Sequence, residues 1–395
     1  EISCSLVGSE MCIRDRLKRT SNLAGKVFTH SAHDKTARRI VMEEKKDTLG
    51  MLDLVIRPGF CVRNNQIVKV NQAAESLFIT PGTDIRPLLL TGAEEYAAFT
   101  GGCLYLTLSL SSHSWGASVT RVEDTDVFLL EQESDNGELR SMALAARELR
   151  EPLTNVMITA DSLFPLCATE DSPHAAEQVA RLNRGLFQIL RIIGNMSDAE
   201  RCAAVSHQET VDIPALFAEF FEKAETLISH TGITLTYEGP NQPIYGLADR
   251  EQLERAVLNI LSNAIKFTPK GGTVAAKLTH SGRMLRLSVT DSGSGIAQNV
   301  RSSVFSRYLR QPVLEDSRYG IGLGMVLIRT AAAHHGGTVL IDQPDGAGTR
   351  ITMTMSIRQS KQATLRSNVL RVDYAGERDH GLIELSECLP TELYE

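Results

Sequence analysis

Two stretches of this chain space their apolar residues alternately three and four apart. Met142, Ala146, Leu149, Leu153, Val156, Ala160 and Leu163 form the first run, and Val179, Leu182, Leu186, Ile189, Ile193 and Met196 the second. That spacing keeps returning to one side of an α-helix, so each stretch predicts a helix with a narrow apolar seam. Asp171-Ser172-Pro173 supplies the turn between them, with Ser172 as cap and Pro173 at the first helical position. The pattern predicts a helical hairpin over 134–201. One such hairpin cannot bury both seams. Two of them can, as a four-helix bundle, which predicts a homodimer. The alternative is a pair of helices packed on other parts of its own chain.

The flanks of the hairpin differ in kind. Before it, 53–133 alternates short β-rich runs with polar turns: Phe60–Arg63 and Gln66–Val70 around Asn64-Asn65, a short helix over Asn71–Phe78, then Cys103–Leu110, Trp115–Val122 and Val127–Gln132. After it, 209–358 alternates strand and helix patterns. Ile233–Tyr237, Ile244–Gly246, Val274–Leu278, Leu285–Thr290, Val339–Asp342 and Arg350–Ile357 read as strands, and Arg250–Phe267 and Met325–His335 as helices. This is an α/β sandwich with helices on one face. The tail 359–395 adds a strand pattern at Val369–Tyr374 and a short acidic helix, with no readable role. The segment 17–52 ends in a helical pattern over Thr36–Leu52 and carries no chemistry.

A chain of 395 residues predicts two to three domains. Its 42% hydrophobic and 23% charged residues exclude a disordered or purely coiled-coil protein. The net charge of -7 argues against nucleic acid as the main partner. The 7 cysteines are scattered with no Cys-x-x-Cys pair, which reads as reduced thiols of a cytosolic chain without structural zinc. No apolar stretch is long enough to span a bilayer.

The chemistry concentrates between 259 and 349. Asn259-x-x-x-Asn263-Ala-x-Lys266-Phe-Thr-Pro places three polar groups near one helix face. Asp291-x-Gly293-x-Gly295 follows a strand end, and Phe305-Ser-Arg307-Tyr308 comes next. Gly320-Ile-Gly322-Leu-Gly324 opens a helix, and Gly346-Ala-Gly348-Thr349 precedes the last strand. Unhindered backbone N–H groups at Gly322 and Gly324 suit phosphates at a helix N-terminus. Asn263 offers an oxygen to Mg²⁺, and Lys266 can reach the phosphates. Asp291 can accept from an adenine amino group, Thr349 can complete the base contact, and Gly293 and Gly295 let a lid hinge close beside it.

Together, in this order, the motifs resemble the Bergerat-type ATP-binding domain of histidine kinases, gyrase-type topoisomerases, Hsp90-type chaperones and mismatch-repair ATPases. Lys-Phe-Thr-Pro, Phe-x-Arg-Tyr and an asparagine rather than a glutamate at 259 are most similar to the sensor histidine-kinase branch. The resemblance implies ATP and Mg²⁺ as cofactors and Asn259 orienting the γ-phosphate. It places Arg307 and Arg310 in or beside the lid, and Gly320 with the other phosphate-loop glycines. The order of elements in 53–133 resembles a PAS sensor, which implies a small-molecule cavity or a dimer surface; His113 is more simply a turn residue than a haem ligand. The fold class is therefore multidomain α+β: a PAS-like sensor, a hairpin forming a dimeric four-helix bundle, and an α/β-sandwich ATP-binding domain. The implied partners are a second copy and the receiver domain of a response regulator.

One departure touches the mechanism. Histidine kinases carry His-Glu-Leu-Arg-x-Pro-Leu on the first hairpin helix, and this chain reads Arg147-Glu148-Leu149-Arg150-Glu151-Pro152-Leu153. Arg147 stands at the phospho-acceptor position, and a guanidinium has no lone pair to offer phosphorus. Glu148, the implied proton acceptor, is retained, whereas Glu151 replaces the Thr or Asn of the phosphatase position. Three readings follow: a degenerate histidine kinase that binds ATP, an active kinase with another acceptor such as His174, His207 or a partner, and an ATP-driven clamp or chaperone. Separately, Leu-Val-Gly-Ser-Glu-Met-Cys-Ile-Arg-Asp-Arg at 6–16 looks like a translated sequencing adaptor, so 1–16 is set apart as an artefact. An anchor upstream of it stays open.

Overall fold

The computed structural model describes residues 52–132, scattered helical positions between 145 and 160, and residues 173–204, 208–296, 305, 323–344, 348–358 and 378–394. The expected helix over Thr36–Leu52, apart from its last residue, and the strand pattern at Val369–Tyr374 lie outside them. No helix among the described residues is long and apolar enough to cross a membrane.

The first half comprises β1 (Gly59–Arg63), β2 (Gln66–Val70), α1 (Gln72–Glu75), α2 (Ala93–Ala97), β3 (Cys103–Leu110), β4 (His113–Val122) and β5 (Thr125–Gln132). Asn64 and Asn65 take left-handed backbone angles, with φ of 51° and 63°, so β1 and β2 close directly into a hairpin. Asn71 ties the start of the short helix expected there into a knot. Its side chain caps α1 at Ala74 N, accepts from Gly59 N at 3.0 Å, and donates to the carbonyls of Val55 and Arg57. The helix stops after one turn, at Glu75, where the sequence pattern ran on to Phe78.

A helix, α3, spans Pro173–Ala204. Its seam is split. Leu186 and Ile193 are buried, while Leu182 is 56% and Ile189 46% exposed. The helical positions 145–160 repeat this: Ala146, Leu153 and Ala160 are buried, and Leu149 and Val156 are each about half exposed. One heptad position of each helix joins the core of this chain, and the other is half exposed except at Met196, which packs against that core.

The last part runs β6 (Glu209–Asp212), α4 (Ile213–Ile228), β7 (Thr234–Glu238), β8 (Tyr245–Ala248), α5 (Arg250–Phe267), β9 (Thr273–Ser281), β10 (Met284–Asp291), α6 (Gly324–His334), β11 (Val339–Asp342), β12 (Arg350–Ser356) and α7 (His380–Glu384). The sequence reading did not single out α4. It carries Pro214 in its first turn, and Phe217, Phe220 and Phe221 along it are buried; each contributes on the order of 1.5–3 kcal/mol before ordering costs.

The sequence divides the strands between separate domains, but all except β6 and β8, which pair with each other, form one sheet of order β2-β1-β5-β4-β3-β11-β12-β10-β9-β7. The join is an antiparallel pairing of β3 with β11: Cys103 with Ile341, Leu104 with Leu340, Tyr105 with Val339. Strand β3 is buried along nearly its whole length on both sides, and its alternation explains how it serves two cores. Leu104, Leu106, Leu108 and Leu110 belong to the core of the first half, Cys103 and Tyr105 to that of the second. A buried arginine reinforces the join. Arg329 of α6 pairs with Glu131 at the end of β5 at 2.5 Å, lies 4.8 Å over the Tyr105 ring, and donates to Phe305 O.

Candidate functional site

Helix α5 is the axis of the site. Asp249 caps it by accepting from Gln252 N, and Thr268 with Pro269 ends it. Leu253, Ala256, Val257, Ile260, Leu261 and Ala264 pack within the core. The opposite face is covered as well, by α3 and the segment 380–394, so Arg255, Asn259 and Ser262 are also buried. A polar stripe inside a protein must find partners.

Asn259 donates to Arg255 O at 2.9 Å, and its Oδ1 is the atom that a Cβ at Gly324 would approach to 2.9 Å. A side chain at the start of α6 would therefore press on Asn259. Asn263, one turn further along, is half-buried beside Met325, with Nδ2 3.8 Å from its sulfur. Lys266 stands in the last turn of α5.

Asp291 ends β10 and is buried. Its Oδ1 accepts from Gly293 N at 2.8 Å and Thr349 N at 3.1 Å, which fixes the carboxylate. Burial raises the carboxyl pKa, and the bonds from Gly293 and Thr349 offset part of that rise. Gly293 is required by space: a Cβ there would meet Phe267 O at 2.4 Å, so the chain can pass under the end of α5 only as glycine. Asn259, Asn263, Lys266, Asp291, Gly293, Gly295, Gly324 and Thr349 thus lie on or beside the walls formed by α5, β10 and the start of α6. Arg307, Arg310, Gly320 and Gly322 lie outside the described residues, as do Arg147, Glu148 and His207. His174 is the second residue of α3.

The structure adds four residues that the sequence reading did not name. Arg191 of α3 and Arg255 of α5 both bind Glu384 of α7, at 3.3 and 3.1 Å, and Glu384 also accepts from Asn259 Nδ2. Glu387 pairs with Arg191 at 3.1 Å and with Lys266. Extending the α5 polar stripe back one turn from Asn259 reaches Arg255, so a signal for that one exists. Nothing local marks the other three. Burial works against the Arg191 charge, but Glu384 and Glu387 outweigh it and hold its pKa above the ordinary arginine value.

A second concavity of about 710 Å³ lies in the first half, between the β1–β2 turn, α2 and the β4–β5 turn. Its charges balance, and Arg121 and Tyr96 are already bonded to Asp126 at 2.7 and 2.9 Å.

Residues 248–359 match the family described as histidine kinase-, DNA gyrase B-, and HSP90-like ATPase. The chain is similar to the sensor-like histidine kinase R01002 of Rhizobium meliloti (strain 1021), 28% identical over 66% of this chain and 52% of the relative. It is also similar to the adaptive-response sensory kinase SasA of Crocosphaera subtropica, 25% identical over 62% of this chain and 68% of the relative. Among solved structures it is similar to full-length ShkA in complex with AMPPNP, at 24% identity, 57% of this chain, 47% of that chain and a TM-score of 0.46. The chain spans about half the length of the first of these relatives. It carries a histidine-kinase-like ATPase domain, and its relatives are sensor histidine kinases.

Proposed function

We propose that this chain is a degenerate sensor histidine kinase: it binds ATP with Mg²⁺ in the lobe 209–358 and does not phosphorylate itself at the usual position, because Arg147 stands there. The observation that carries the nucleotide reading is the fixed, buried Asp291 carboxylate beside two enforced close approaches, Gly293 under α5 and Gly324 against Asn259. A flat base with an exocyclic amine fits that end, where any larger side chain would fill the space. Asn263 would hold Mg²⁺, which when bound neutralises phosphate charge. Asn259 would orient the terminal phosphate, and Lys266 would bind the phosphate chain.

The first half has the strand order 2-1-5-4-3 and a concavity beside its helices, which supports a PAS-like sensor with a small-molecule ligand or a dimer surface. The exposed seam residues Leu149, Val156, Leu182 and Ile189 support a homodimer, since a second hairpin would cover them. Light scattering that returns a monomer would remove that part of the reading. The receiver domain of a response regulator is the partner, reached by conformation or through a histidine-bearing subunit.

The test is incubation with γ-labelled ATP and Mg²⁺ beside an Arg147→His variant. The expected result is nucleotide binding by both proteins and label on the variant alone. Acid-labile label on both would replace this reading by a kinase with another acceptor. Steady phosphate release without label would replace it by an ATPase clamp.

A further inference from the structure

The segment 378–394 is not tied to the domain by strand pairing or by a long helix of its own. Side chains bind it across two helices. From α3, Arg184 donates to the carbonyls of Ser386 and Glu387 at 2.9 and 3.0 Å, and Asn183 to that of Tyr394 at 2.9 Å. Ile383, Leu385 and Leu389 are buried, and Tyr394 packs edge-on against Phe187 with ring centroids 5.2 Å apart. These contacts present two carboxylates to the polar stripe of α5: Glu384, 0% exposed, to Asn259, Arg255 and Arg191, and Glu387 to Lys266 and Arg191. Glu384 and Glu387 are separated by less than one helical turn, so they address successive groups along α5, the asparagine first and the lysine second.

We propose that this segment is an intrachain strap whose carboxylates occupy the phosphate end of the nucleotide site, so that it competes with ATP for Asn259 and Lys266. The inference rests on the nucleotide reading of the site given above. A carboxylate and a phosphate oxygen ask for the same donors, so one cannot be seated on Lys266 and Asn259 while the other is. Competition is specific to the terminal phosphates. The base end, at Asp291 and Thr349, touches none of the strap residues through the hydrogen bonds that fix it. ATP binding then requires the strap to leave, which also frees Arg191 of α3 from Glu387 and loosens the brace between α3 and α5. The occupant that releases the site is thus a polyphosphate.

The experiment compares the full chain with its Glu387→Gln variant in calorimetric titrations with ATP·Mg²⁺ and with AMP. Glutamine keeps the shape and removes the charge. The strap predicts ATP binding about tenfold tighter in the variant, a change of about 1.4 kcal/mol, with AMP binding unaltered. Hydrogen exchange on the unaltered chain is the second arm. Amides of 378–394 should exchange faster when ATP·Mg²⁺ is added and stay protected with AMP. Equal ATP affinities in the two proteins, with the strap still protected at saturating ATP, overturn the strap and leave the nucleotide site standing. Failure of both proteins to bind either nucleotide overturns the site itself. If the variant does not fold, the exchange arm decides alone.

Discussion

The ATPase-like lobe is gripped on two flanks by different physics. On one, β3 of the first half pairs with β11 through backbone hydrogen bonds, and Arg329 with Glu131 locks the seam. On the other, the strap crosses α3 and α5 with two carboxylates against three cations, Arg191, Arg255 and Lys266. A ladder moves only if a whole strand moves, because slipping by one residue would turn Leu104 and Tyr105 into each other's cores. Side-chain ion pairs have no register and can be exchanged for another anion. The first junction resists sliding, whereas the second is one that the strap proposal lets another anion displace.

Substitutions at the two flanks separate these roles. Glu384→Ala should have the largest effect, about 3–5 kcal/mol by chemical denaturation, because it takes from the buried Arg191 and Arg255 the carboxylate they share. Gly102→Val should cost less, about 1–3 kcal/mol, since Gly102 has φ of 90° and a Cβ would sit 2.3 Å from Ile341 O. It should also raise amide exchange along β11, which Glu384→Ala should not. If the two variants loosened the same amides, the two junctions would not be independent.

Acid sharpens the comparison further. Burial depresses His335 below its ordinary 6.5; its Nδ1 bonds to Ala331 O and its Nε2 accepts from Asp249 N, so the ring is held neutral. Stability is therefore lost as pH falls below 6.5, by at most about 1.4 kcal/mol per pH unit for one group. Burial would raise Glu387, but Arg191 and Lys266 outweigh it and hold its carboxyl below the ordinary 4.5. The strap's share is thus fully present above 4.5 and is lost as pH falls through the lower folded value. Denaturation against pH should show the first loss in both the unaltered chain and Glu387→Gln, and below 4.5 a shallower loss in the variant than in the unaltered chain.

Local pattern made much of this legible. Gln66–Val70, Cys103–Leu110 and Val339–Asp342 are strands over the residues that period-2 alternation and turn signals mark. The polar stripe of α5 and the glycines after β10 follow from spacing alone. What escaped is long-range. Glu384 and Arg191 are 193 residues apart, and an acidic residue in a short terminal helix carries no mark of the arginine that awaits it. The heptads mark both helices but not which half of each seam this chain would cover itself. The joining of β3 to β11 was hidden for a similar reason: a run buried on both sides reads as a strand without saying what lies across its edge.

The shared strand has a consequence for anyone cutting this protein into pieces. A fragment trimmed to 209–358 alone would expose the outer rim of β11, a row of unpaired amides and carbonyls, together with the hollow left by Tyr105. Such a fragment would recruit a stranger's strand to that rim, and its clumping would measure how far residues 52–132 shield that edge.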